Sequence, residues 1–171
     1  TVPGVTLNVY RVFPRSGEGA SNFDIGNAID QAAADGCDLL NLSLGGGPRD
    51  PVIDDAIKAA RAKGSICVIA AGNDAGPVAQ PGAHPLVVCA VQDDDVTAPA
   101  GKFKTYLAGF SNTGPEVDLT GSGCGIISTY PNERFAIMDG TSMACPCATG
   151  AIARRLADVP AVLNATRDAT R

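Results

Sequence analysis

The sequence predicts an α/β fold with three αβα layers around a mostly parallel sheet. Three observations carry this. Apolar, β-branched runs alternate with helical stretches through residues 5–71. The connections between them are short, as parallel strands covered by helices require. Of the 171 residues, 45% are hydrophobic and 18% charged, so the chain can bury a single-domain core and is not of disordered composition.

Val5–Phe13 (VTLNVYRVF) is mostly apolar and reads as a buried parallel strand. Residues 16–22 form a loop. Ile25, Ala28, Ile29, Ala32 and Ala33 then recur at helical spacing, and Gly36 stops that helix. Leu39–Leu44 (LLNLSL) is the second strand and runs into Gly45-Gly46-Gly47. Asp50 and Pro51 signal a cap and first position for a helix that ends near Lys63 and Gly64. Ser65–Ala71 (SICVIAA) is the third strand.

After Gly72 the strands become short: Leu86–Val91, Tyr106–Phe110, Val117–Thr120 and Ile126–Thr129. A long helix follows from Ser142, with Ala144–Leu156 as its apolar body. Twenty glycines and twelve prolines fit the many turns. The expected organisation is one partial domain over residues 1–171, with a core at 1–159 and a weakly patterned tail at 160–171. A parallel sheet that opens on Val5–Phe13 leaves that strand short of a neighbour, an exposed apolar edge that invites pairing with another chain.

The net charge of −5 argues against nucleic acid and anionic membranes as partners. No apolar run reaches the roughly 18 residues that span a bilayer. The six cysteines form no C-x-x-C pair, and His84 is the only histidine, so a zinc site is not expected. Most of the thiols are expected free. Cys67 and Cys89 read as small buried hydrophobes, and a disulfide through Cys124 stays open.

Gly140-Thr141-Ser142-Met143-Ala144-Cys145-Pro146 delivers a serine to the start of the long helix. The positive end of the helix dipole lies there, which suits a nucleophile or a group that carries negative charge during reaction. A serine capping a helix is the plain alternative. Asn73, after Ala70-Ala71-Gly72, stands at a strand's C-terminal end, where open α/β sheets bind ligands. It too has a plain reading, as a turn asparagine. Ser43, Leu44, Gly45 and Gly46 end the second strand, with glycines that permit close backbone approach. A phosphate loop is the weaker rival, because no Lys-Ser/Thr follows and no G-x-G-x-x-G is completed.

Together these motifs resemble the subtilisin-like serine proteases, over nearly the whole chain. Gly-Thr-Ser-Met-Ala-x-Pro is their nucleophile motif, and further similar stretches are Phe110–Pro115, Val117–Leu119 and Ile127–Thr129. The resemblance implies a subtilisin-like fold truncated at its N-terminal side. It implies Ser142 as nucleophile, Asn73 as oxyanion donor, and Ser43, Leu44, Gly45 and Gly46 as a substrate edge for extended peptides. Pro81-Gly82-Ala83-His84-Pro85 resembles a turn of the family whose first proline is cis, and His84 falls at a variable position of it. A structural calcium ion is a family habit, and Asp93-Asp94-Asp95 lies near a weak cation loop of some members; a solvated acidic turn is the competing reading. Family habit also points to secretion, with which free thiols sit uneasily.

There are departures. Gly121-Ser122-Gly123 stands where the family has Ala-Pro-Gly, and Pro146-Cys147-Ala148-Thr149-Gly150 where it has Pro-His-Val-Ala-Gly. Neither Asp-Ser/Thr-Gly nor His-Gly-Thr-His, the motifs of the triad Asp and His, occurs. The expectation is a serine endopeptidase part whose Asp and His lie on a missing or companion segment that pairs along Val5–Phe13. Alone, the chain is expected to be inactive. The competing expectation is a catalytically dead module that binds extended peptides or serves as a structural subunit. A nucleotide-binding domain lacks the motifs it would need.

Overall fold

The computed structural model describes residues 2–45, 49–79, 85–93 and 104–159. In chain order the elements are α1 (Asn22–Ala34), β1 (Leu39–Leu42), α2 (Pro51–Ala62), β2 (Ile66–Ala70), β3 (Leu86–Asp93), β4 (Thr105–Leu107), β5 (Leu119–Ser122), β6 (Ile126–Tyr130), β7 (Arg134–Met138) and α3 (Thr141–Asp158). The Asp50 and Pro51 cap read from sequence forms, and Ser21, read as part of a loop, caps the first helix. Ser21 accepts from the Asp24 amide at the start of α1, and Asp50 accepts from the Val52 amide at the start of α2, with Pro51 in the first turn.

β1, β2 and β3 pair in parallel, and β5 joins β3 in parallel. β4 runs antiparallel to the end of β3, so the five-stranded sheet is mostly parallel. Alternation along the strands divides the core into two layers. Cys67, Ile69, Val87 and Cys89 face Ile25, Ile29, Ile53 and Ile57 of α1 and α2. Val68, Val88 and Ala90 face Ala144, Cys145 and Ala148 of α3. Strands covered on both faces read as continuous apolar runs, which is why they were legible.

Val5–Phe13 departs from the expectation. It is extended, but no ladder pairs it with any strand among the described residues. Tyr10 and Val12 pack against the core, while Leu7 and Val9 are 80% and 81% exposed. The composition suits a strand, but a strand also needs a second backbone to accept and donate hydrogen bonds. Side chains hold the segment instead: the Tyr10 hydroxyl donates to Asp35 Oδ2 at 2.6 Å, and Asn8 Nδ2 donates to Cys37 Sγ at 3.3 Å. β7 went unread in the sequence. It pairs with β6 across Pro131-Asn132-Glu133, where Asn132 and Glu133 take positive φ of 64° and 57°.

All six cysteines are unpaired. No helix among the described residues is long and apolar enough to cross a membrane.

Candidate functional site

The site lies where the C-terminal ends of β1 and β2 meet the N-terminus of α3. Gly140 makes the turn into the helix with φ +153°, a backbone that favours glycine. Thr141 follows and is almost fully buried. Ser142 is the second helical residue, so its backbone N–H is one of those an α-helix leaves without an internal acceptor. The first turn carries no acidic side chain to oppose negative charge gathering there.

Thr141 ties this turn to the end of β2. Its hydroxyl donates to Asn73 Oδ1 at 2.9 Å and accepts the Gly72 amide at 3.1 Å. Its own amide donates to the same Asn73 oxygen at 2.9 Å. With the carbonyl end of the Asn73 side chain held twice, the Nδ2 end remains as the donor, and it has no partner among the described residues. It sits beside Gly140, 3.6 Å from where a Cβ would stand on that residue. Asn73 and Ser142 are therefore anchored on one turn, with an exposed amide donor next to a helix N-terminus.

Ser142 is half-buried, and its hydroxyl donates to the Ser43 carbonyl at 3.1 Å. The sequence-predicted Ser142, Asn73 and Ser43 thus converge from three elements. Leu44 and Gly45 continue the Ser43 segment, Leu44 half-buried and Gly45 exposed. Gly46, the Gln80–Pro81 bond, His84, Asp94 and Asp95 lie outside the described residues, as does the tail 160–171. Asp93 ends β3 and accepts the Thr105 hydroxyl at 2.7 Å. Among the described residues, no group of three or more His, Cys, Asp or Glu gathers to hold a metal.

Two features of the site were not singled out from sequence. One is the anchoring role of Thr141, whose signal is its place between the glycine and the serine of the nucleophile motif. The other is the close seat of α3 on β5. A Cβ on Gly121 would stand 2.4 Å from the Ala144 carbonyl oxygen, so glycine there lets sheet and helix backbones touch. The signal was the Gly121-Ser122-Gly123 departure itself. Cys145, close to Ser142 in sequence, is not a rival nucleophile on the same turn. Burial pushes the Cys145 thiol up to about 11, and its Sγ donates to the Val68 carbonyl at 3.4 Å.

Comparison with known proteins shows the family and the fold. The profile described as the subtilase family matches residues 1–170. Subtilisin DY of Bacillus licheniformis is 32% identical over 158 residues, covering 92% of this chain and 56% of that protein. The minor extracellular protease Epr of Bacillus subtilis (strain 168) is 36% identical over 138 residues, 80% of this chain and 20% of that one. Among solved structures, that of a cold adapted subtilisin-like serine proteinase superposes with a TM-score of 0.72 at 27% identity, over 87% of this chain and 52% of its own. The chain therefore spans about half the length, or less, of the relatives it matches.

Proposed function

The chain belongs to the subtilase family, and from that premise we propose that it is the serine-bearing part of a subtilisin-type endopeptidase. The observation that carries the reading is the double anchoring of Asn73 Oδ1 by Thr141, which leaves an amide donor beside Ser142. In this reading Ser142 Oγ attacks the carbonyl carbon of a peptide bond and its proton passes to a histidine. Asn73 Nδ2 and the Ser142 amide hold the resulting oxyanion, and the proton then goes to the leaving amine. Loss of one such side-chain donor costs about 10²–10³ in rate, a figure measured on subtilisin itself. Ser43, Leu44, Gly45 and Gly46 form the edge along which an extended substrate adds.

No residue of this chain that could serve as the base lies in the described site. In the structure the Ser142 proton is directed at a backbone carbonyl, which cannot remove it. We therefore assign the Asp and His to a separate segment. Two observations support a strand of that segment as the companion. β1 is the outermost strand of its sheet, and Val5–Phe13 is extended without a ladder partner. Both backbones offer unmade hydrogen bonds, and the exposed Leu7 and Val9 offer apolar surface. The reaction so read needs no cofactor. A structural calcium ion would show as a lower melting temperature on adding a chelator.

The relative named as extracellular supports secretion, while six unpaired thiols favour a reducing compartment. Recovery of the thiols as disulfides from secreted material would decide for the former. The second reading, a dead module that binds extended peptides, draws on the departures at Gly121–Gly123 and Cys147.

Peptide hydrolysis separates these. The pure chain should cleave nothing. Addition of a segment carrying Asp-Ser/Thr-Gly and His-Gly-Thr-His should restore cleavage, and Ser142→Ala should abolish it. Cleavage by the pure chain that Ser142→Ala removes would contradict the need for a companion. Peptide binding without cleavage in the assembly would favour the dead module.

A further inference from the structure

Two residues outside the reacting set tie the helix that carries Ser142 to the strand end that carries Ser43. Thr149 lies seven residues after Ser142 on α3, on the same face of the helix. Its hydroxyl donates to Asn41 Oδ1 at 3.0 Å. Asn41 Nδ2 donates in turn to Ser43 Oγ at 2.8 Å, and the Ser43 carbonyl accepts the Ser142 hydroxyl at 3.1 Å. The contacts close a ring from α3 through β1 and back to α3.

The ring sits where backbone support ends. The β1–β2 ladder stops at Leu42, and Ser43, Leu44 and Gly45 lie beyond it. The Thr149 hydroxyl also lies 2.9 Å from the Cys145 carbonyl, so its one proton is shared between an intrahelical acceptor and Asn41. An alanine at this place could make neither contact.

We propose that Asn41 and Thr149 are positioning residues, which brace the Ser43 carbonyl and thereby set the orientation of the Ser142 hydroxyl. The inference rests on the reading of Ser142 as the nucleophile. The brace spans α3 and the free end of β1, so it transmits the seat of the helix to the substrate edge. Asn41 is exposed, so each contact competes with water and the effect is moderate.

The test uses two variants and two readouts. Thr149→Val keeps the side-chain shape and removes the hydroxyl, while Thr149→Ser keeps the hydroxyl. In NMR spectra of the chain alone, Thr149→Val should shift the Asn41 side-chain amide and the Ser142 backbone amide and speed exchange of the former. Thr149→Ser should leave both near the wild-type positions. A Thr149→Val spectrum with Asn41 and Ser142 unmoved overturns the brace, whether or not the chain ever reacts. In the assembly reconstituted with an Asp- and His-bearing segment, Thr149→Val should slow phosphonylation of Ser142 by a fluorophosphonate about fivefold, the weight of one net hydrogen bond. Asn41→Ala should do the same, and the double variant should be no slower than the slower single one. Unchanged rates, or losses that multiply, overturn the proposal. A wild-type assembly that takes up no phosphonate counts against the nucleophile reading, and the spectra then judge the brace alone.

Discussion

An alanine at Gly121 tests how closely the helix that carries Ser142 is seated on the sheet. Its Cβ would stand 2.4 Å from the Ala144 carbonyl oxygen, 2.9 Å from the carbonyl carbon and 3.1 Å from Cα. These are backbone atoms in the first turns of α3, so no side chain can swing aside. Ordinary contact begins near 3.4 Å, so the helix must draw back from β5 by about 1 Å. Overpacking of this kind costs about 1–3 kcal/mol. Against it, Gly→Ala stiffens the unfolded chain, worth about 0.4–1 kcal/mol, and Gly121 does not have the positive φ that would strain an alanine. The net expectation is a loss of about 1–2 kcal/mol, or a melting temperature lower by roughly 3–6 °C for a chain of this length. Circular dichroism melts with a urea titration measure it. Withdrawal of α3 also carries Ser142 away from Ser43 and Asn73, so phosphonylation in the reconstituted assembly should slow as well. An alanine variant that melts at or above the parent temperature would refute the close seat, and with it the view that the Gly121 departure fits this helix to this sheet.

Thr141→Val should destabilise by about 1–3 kcal/mol in urea titration, because the Gly72 amide loses its acceptor and Asn73 Oδ1 keeps only the Thr141 amide; Thr141→Ser should recover most of it. Under native conditions at neutral pH, alkylation followed by mass mapping should mark the half-buried Cys37 and Cys147 and spare Cys67 and Cys145, whose thiols burial holds at about 12 and about 11. Rapid labelling of Cys67 would contradict its burial. The same two thiols have folded pKa values above their unfolded ones. Their contribution to stability is therefore full below about 8.5 and is lost as pH rises through about 11–12, so the urea midpoint should fall between pH 8 and pH 10.5. The Tyr10–Asp35 clip has two pH limits. The hydrogen bond from Tyr10 holds the Asp35 carboxyl below its usual range, and this stabilisation is lost as pH falls through that lowered value. Donating that bond to the carboxylate raises the Tyr10 phenol, and this stabilisation is lost as pH rises through its raised value. Protease nicking of residues 5–13 should accordingly be slowest between about pH 5 and pH 9.

The parts of the fold legible in sequence were those governed by local rules. The α2 cap follows from Asp50 and Pro51, and buried parallel strands announce themselves as apolar runs such as Ile66–Ala70. Gly-Thr-Ser marked Ser142, and the strand-end position marked Asn73 and Ser43. What stayed hidden depended on pairing partners, on exposed strands or on contacts distant in sequence. Val5–Phe13 has strand composition, yet pairing is a property of two backbones, and no second one pairs with it among the described residues. β7 was obscured because Arg134–Met138 is mostly exposed and its turn rests on positive φ at Asn132 and Glu133, of which only asparagine signals such a backbone. The Thr141–Asn73 anchor spans 68 residues and the Thr149–Asn41 contact 108, separations at which a single sequence carries no pattern.

The most direct test of a serine-bearing part that needs its base from elsewhere is intact-mass spectrometry after exposure to a fluorophosphonate, with the chain alone and with an Asp- and His-bearing segment added. The account predicts an unmodified 17.3 kDa chain in the first case and one adduct, mapped to Ser142, in the second. An adduct at Ser142 on the chain alone, or none in the stably formed assembly, would contradict it.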